Sequence, residues 1–240
     1  MLVTAQTIKP ELQHQLQAFA LANNFVDLYR SYLWREDTSA KGFPDILRLE
    51  LTLTASDRTT GVTLDDVRAV ARWGAMRNQG RISGPQVVLP PNTFHLAVGV
   101  VPTALAVNPL APLILIQAQL KGLGPTYLSK ILRFAQPQVY GAIDTRCVRV
   151  FGIGDLQAHR CDWLSLRARN DGYGWYIPKA QSDWPDQYGL WINILRHFAS
   201  TLPHNCPHPP GFVANGLRQQ GIWQCGDVEM ALFAFASQYT

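Results

Sequence analysis

The sequence predicts a mainly α-helical protein of two helical lobes, with a minor strand element near the N-terminus. Three observations carry this expectation. Apolar residues recur at three- and four-residue spacing through most of the chain. Pro112, Pro125 and Pro137 punctuate the helical runs rather than interrupt them. The cleanly alternating stretch that stands out, Asp45–Thr54, is short.

Taken in order, Glu11–Leu33 reads as one or two helices, with Leu12, Leu16, Phe19 and Ala20 at helical spacing. In "DILRLELTLT" the leucines at 47, 49, 51 and 53 fall on one side of an extended chain, which argues for a strand. Leucine and glutamate are also strong helix formers, so both readings stay open. "TLDDVRAVARWG" is a helix: Thr63 caps it, Asp66 completes a capping box, and Gly74 ends it. Arg72, Arg77 and Arg81 then flank Trp73, either as a nucleic-acid-facing patch or as a solvated helix end with a packed ring.

Residues 84–112 are rich in proline and apolar residues and read as an ordered connection between lobes. They separate an N-terminal lobe, 1–111, from a second lobe, 112–240, with one continuous domain as the open alternative. In the second lobe, Pro112–Leu120 reads as a buried helix, Gly122-Leu123-Gly124 as a turn, and Pro125–Ala135 as the next helix, stopped by Pro137. A short helix follows Asp144, with Val148 and Phe151 on its inner face. "WPDQYGLWINILRHFAS" and "GDVEMALFAFASQY" are amphipathic helices, the second with Asp227 as its expected N-cap.

The chain has 240 residues, a formal net charge of +4 and 16% charged residues. That balance suits a polyanionic partner only if the cations are gathered locally. The first twenty residues carry no apolar signal core, and the run Leu113–Ile116 is too short to span a bilayer, so a cytoplasmic protein with no membrane partner is expected. Cys147, Cys161, Cys206 and Cys225 are widely spaced with no C-x-x-C pair, which favours reduced thiols. "HNCPH" sets His204, Cys206 and His208 close together, but no fourth ligand is evident and no metal is expected.

"LKGLGPTYLSK", Leu120–Lys130, carries the chemistry best. The first amides of a helix after a glycine turn lack intrahelical partners and sit at the positive end of the helix dipole. They can donate to a phosphate without reading sequence. Asp144 lies eighteen positions after Thr126 and opens the next helix. There it can serve as an N-cap, or as a carboxylate that stabilises a glycosyl cation or activates water.

The hairpin Leu120-Lys121-Gly122-Leu123-Gly124 together with Asp144 resembles the helix-hairpin-helix DNA glycosylase superfamily. The wider text "KGLGPTYLSKILRF…YGAIDTRCVRVFG", about residues 112 to 152, looks most like bacterial proteins of the 8-oxoguanine DNA glycosylase fold. Some of those belong to antiphage operons of the cyclic-oligonucleotide signalling type. The resemblance implies two lobes around a cleft and excision of a damaged base, by default an oxidised purine such as 8-oxoguanine. It implies DNA as partner, other defence-operon proteins as further partners, and no cofactor beyond an optional hairpin-bound monovalent cation. Asp144 becomes the catalytic carboxylate, and Lys121, Gly122, Gly124 and Thr126 become the phosphate grip. Tyr127, Arg133, Arg146 and Trp223 are assigned to a base pocket or its basic rim, with Lys121 and Arg149 extending the rim. Trp191, Phe198 and Tyr239 are weaker stacking candidates.

One departure matters. Bifunctional members carry a nucleophilic lysine two positions after the second hairpin glycine, and that position here is Thr126. A monofunctional enzyme that leaves an abasic site is therefore expected. Lys130, one helical turn further on, has three readings: displaced nucleophile, base- or phosphate-contacting cation, or surface lysine. Two alternatives to repair stay open: excision of a modified phage base or another base-bearing substrate, and a non-catalytic binding module that kept the hairpin.

Overall fold

The computed structural model describes residues 8–32, 43–94 and 108–240. The remaining residues, including 95–107 of the expected connection between lobes, lie outside the described part. Ten α-helices and two small strand pairs make up the described fold. The helices are α1 (Pro10–Ala22), α2 (Phe25–Ser31), α3 (Phe43–Thr59), α4 (Leu64–Trp73), α5 (Ala111–Gln119), α6 (Pro125–Ala135), α7 (Thr145–Phe151), α8 (Asp186–Thr201), α9 (Pro210–Ala214) and α10 (Cys225–Ala236). None is long and apolar enough to cross a membrane.

The alternating stretch at 45–54 is helical and belongs to α3. Its buried positions are Ile46, Leu49, Glu50, Leu53 and Asp57, a three–four spacing that a helix satisfies and a strand does not. Two of those positions are acidic, so the true stripe is hidden from an apolar count. The leucine alternation is incidental: Leu47 and Leu51 are only partly buried. The strand element near the N-terminus lies just beyond, where β1 (Val62–Thr63) pairs antiparallel with β2 (Val87–Leu89).

Local signals account for most helix starts. Asn24 accepts from the amides of Val26 and Asp27 and starts α2. Thr63 and Asp66 form the capping box of α4, and Gly74 ends that helix. Pro125 stands in the first turn of α6, and Asp144 caps α7. The expected N-cap of α10 shifts by one turn. Gln224 takes the cap position, and Asp227 accepts its amide at 3.0 Å from within the helix.

The core joins the two ends of the chain. α10 packs against α2, α8 and α7, while α3 packs against α6 and α4. Phe19 meets Phe25, Phe151, Trp163 and Phe235 at 4.9 to 6.1 Å, so an aromatic cluster binds α1 to the last helix. A buried ion network crosses the same layers. Glu50 accepts from Arg133 at 2.5 Å and from Arg218 at 2.8 and 3.1 Å. Arg218 also donates to Asp227 at 2.9 and 3.1 Å.

Candidate active site

The glycine turn is built by the backbone. Gly122 adopts φ +83°, and a Cβ there would sit 2.5 Å from the carbonyl oxygen of Arg81. Beside it, Lys121 and Ser83 exchange backbone hydrogen bonds at 2.9 and 3.4 Å, which fixes the turn against the segment after α4. Gly124 is different. Its φ of −94° suits any residue, and nothing lies within 4 Å of the place a Cβ would take. Its amide and that of Thr126 make no backbone hydrogen bond within the described residues. Fold therefore explains Gly122 and leaves Gly124 open to an approaching group.

Two hydrogen bonds hold α6 in place. The Tyr127 hydroxyl donates to the Gly74 carbonyl at 2.8 Å, tying the first turn of α6 to the end of α4. Ser129 is fully buried, donates to the Thr126 carbonyl at 2.9 Å, and accepts the Ile143 amide at 3.0 Å. That last bond brings Asp144 alongside α6. Ser129 is a positioning residue that motif spacing does not reveal; its signal is a lone hydroxyl within the apolar face of α6.

Asp144 divides its work between two oxygens. Oδ1 accepts the Arg146 amide at 3.1 Å and caps α7, with the Thr145 hydroxyl at 3.2 Å. Oδ2 faces Lys130 Nζ at 3.5 Å. Both side chains are about one-sixth exposed, at 15% and 16%. The Lys130 ammonium also lies 5.4 Å from the Trp73 ring centre and 5.2 Å from that of Tyr127, a cation–π seat. Burial, then the Asp144 charge, pushes the Tyr127 phenol up to about 12.

The Lys130–Asp144 pair stands between two spaces. On one side is an open groove of about 660 Å³, lined by the hairpin, Arg77, Trp175, Tyr176 and Lys179. On the other is a small pocket of about 80 Å³, lined by Trp73, Arg133, Glu229 and Phe233 among others. The small pocket has room for a few waters rather than for a base. The chain matches no known family model, no curated protein and no solved structure.

Glu229 is an acid of this site that no motif spacing marks. It is 6% exposed, and burial pushes its carboxyl up from the usual range to about 7. Arg133 and Lys130 pull it down, Asp144 pushes it up, and the nearby Ala142 amide pulls it down. The visible signal is a glutamate inside "GDVEMALFAFA", a helix that is otherwise apolar around this position.

The other expected residues separate. Arg133 is 3% exposed and belongs to the buried network with Glu50, although it also borders the small pocket. It is not on a solvent rim. Arg146 reaches the Ser237 hydroxyl at 3.2 Å and lies over Phe233. Lys121 is exposed at the hairpin, and Arg149 pairs with Asp155 at 2.6 Å. Trp223 is 3% exposed, donates to the Pro203 carbonyl at 3.0 Å and packs on Phe25 and Tyr29, away from the groove lining. Trp191 and Phe198 are wholly buried in the core, and Tyr239 is 37% exposed beside Arg160.

All four cysteines are free thiols. Cys206 and His208 come together with Asp227 rather than with His204, their ligand atoms within 4.8 Å of one another. The cluster is already hydrogen-bonded. Arg218 holds the Asp227 carboxylate, His208 Nε2 lies 2.9 Å from the Ile222 carbonyl, and the Cys206 thiol is 3.5 Å from His208 Nδ1. Burial, then the Asp227 charge, raises the thiol's pKa far above its ordinary value.

Proposed function

We propose that the protein is a DNA glycosylase of the helix-hairpin-helix type, which extrudes a modified base and hydrolyses its N-glycosidic bond. The observation that carries this reading is the meeting of three parts in one groove: the free hairpin amides, the Asp144 carboxylate and the Lys130 ammonium. The Gly124 and Thr126 amides are suited to a phosphate oxygen, and Lys121, Arg77 and Lys179 supply positive charge nearby. Asp144 Oδ2 is the group able to stabilise a cationic sugar and steer water. In the reaction the C1′–N bond breaks with its electrons leaving on the base. Water adds to C1′, a proton passes to the departing base, and an abasic site and free base result.

No amine stands at position 126, and Lys130 is engaged with Asp144. The reading is therefore monofunctional, with Lys130 as a cation that contacts base or phosphate. The default substrate is an oxidised purine such as 8-oxoguanine, and a modified phage base is the alternative within the same chemistry. The double engagement of Asp144, one oxygen on a helix cap and the other on Lys130, favours a second reading. In it the site binds nucleic acid without turnover, as a module of a defence system. A screen of single-lesion oligonucleotides and phage-derived DNA for alkali-labile abasic sites separates the two. Cleavage by wild type that disappears in Asp144→Asn supports the glycosylase. Binding without cleavage of any substrate supports the module.

A further inference from the structure

The strand pair β3 (Arg169–Asn170) and β4 (Trp175–Tyr176) forms a hairpin at the mouth of the groove. Its aromatic side chains do not go into the core: Tyr173 is 80% exposed, Trp175 38% and Tyr176 42%. Large rings gathered on one short hairpin are not explained by folding, because they leave their apolar faces in water.

The hairpin is held in place rather than left free. Asp171 accepts the Tyr173 and Gly174 amides at 3.0 and 3.1 Å, and Gly172 takes φ +86° to close the turn. The Arg77 guanidinium donates to the Tyr173 carbonyl. Arg149 lies 4.1 Å from the Trp175 ring centre, and Asp155 pins it at 2.6 Å. A cation stacked on a ring and fixed from behind sets that ring's plane.

A second groove, of about 880 Å³, runs along the hairpin and shares Arg77, Tyr127, Trp175 and Tyr176 with the groove that holds Asp144. The two form one trough, lined by the rings of Tyr127, Tyr173, Trp175 and Tyr176, with Arg77 and Lys179 as cations and the Lys130–Asp144 pair on its wall. The hairpin's own acid, Asp171, is occupied by the turn amides.

We propose that this hairpin is a stacking platform for unpaired bases, so that the strand laid in the trough is single-stranded DNA and one of its nucleotides is delivered to Asp144. In a duplex the base faces are covered by their neighbours, and exposed rings find little to stack on. In a single strand each base offers a face, and each stack tightens binding by about 5- to 150-fold in such sites. The proposal rests on the nucleic-acid reading of the Asp144 site and adds the strand state of its substrate.

The test is fluorescence anisotropy of the full chain with a labelled oligothymidylate of about twelve nucleotides, a length within the range of such sites. The same strand in duplex form and the matching RNA strand serve as comparisons, all at one salt concentration. Wild type should bind the single DNA strand more tightly than either. Trp175→Ala combined with Tyr176→Ala should weaken single-strand binding about 10-fold or more, one stack's worth, with little effect on the duplex. Trp175→Phe, which keeps a ring, should bind close to wild type. Both positions are solvent-exposed, and the melting temperature of each variant verifies that it is folded. Equal or tighter binding of duplex or RNA, or a folded double variant that binds like wild type, overturns the proposal. These outcomes concern binding alone, so they are distinct from a failure of the glycosylase reading, which base release in Asp144→Asn decides.

Discussion

Lys130 Nζ sits 3.5 Å from Asp144 Oδ2, and the pair forms the wall between an open groove and a small pocket. The other Asp144 oxygen caps α7, so the carboxylate is oriented before any ligand arrives. Asparagine keeps an oxygen for the cap and loses the charge. We predict that Asp144→Asn lowers base release at least about 100-fold, the scale of a lost acid–base or charge-stabilising group. Its melting temperature should change little, since asparagine is as good a cap. Undiminished release in a folded Asp144→Asn protein would falsify the catalytic assignment. Lys130→Met should weaken oligonucleotide binding yet leave some release, and borohydride should trap no covalent adduct with wild type. A trapped adduct that vanishes in Lys130→Met would make Lys130 a nucleophile.

The two hairpin glycines should respond differently to alanine. Gly122→Ala forces a side chain into the left-handed region and against the Arg81 carbonyl, so it should cost more than about 1 kcal/mol in urea unfolding. Gly124→Ala meets nothing and should stay within about 0.5 kcal/mol of wild type. It should nonetheless weaken DNA binding, because the new methyl group stands where a phosphate approaches. Wild-type affinity in Gly124→Ala would remove the hairpin from the phosphate grip.

Glu50 is fully buried between two guanidiniums, those of Arg133 and Arg218. Removing it leaves both cations short of a partner. Glu50→Ala should cost about 3–5 kcal/mol, the range for breaking a buried ion pair, and lower the melting temperature by roughly 10 °C for a chain of this size. A calorimetric scan within a degree or two of wild type would show that the network carries little.

Glu229 gives stability a pH dependence of known sign. Its carboxyl is raised in the fold, from 4.5 to about 7. The folded state therefore holds the proton more tightly than the unfolded chain. This contribution is fully present below about pH 4.5 and is lost as pH rises through 7. At about 1.4 kcal/mol per pH unit the loss is on the order of 3 kcal/mol. Glu229→Gln should flatten the difference in melting temperature between pH 5 and pH 8. An unchanged slope in the variant would mean that Glu229 does not titrate in this window.

Much of the fold is legible because it is local. Thr63 with Asp66, Pro125 after Gly124, and Asp144 ahead of α7 act on amides within a few residues, so their roles follow from spacing alone. α3 was ambiguous because Glu50 and Asp57 occupy its inner stripe, and their partners lie elsewhere in the chain. Asp227 reads as the cap because its carboxylate does take a helix-start amide, that of Gln224, though from the third helical position; its link to Arg218 spans nine residues and has no local signal. Arg133 and Trp223 read as site residues by position on the chain, yet Arg133 is drawn into the buried network and Trp223 into the aromatic packing around α2.

By itself, the sequence determined the helix–turn–helix at 112–135, the cap at Asp144, the placing of Lys130 one turn after Thr126, and the largely helical character of the chain. These depend on periodicity, capping and backbone freedom, which act over one or two turns. Only the tertiary structure decided that Lys130 pairs with Asp144, that Glu229 joins them from the last helix, and that Trp175 and Tyr176 line the same groove. Those contacts form because Ser129 holds Ile143 against α6 and because α10 folds back onto α2 and α7. They depend on where separate segments meet, which burial of the whole core decides and no local pattern records.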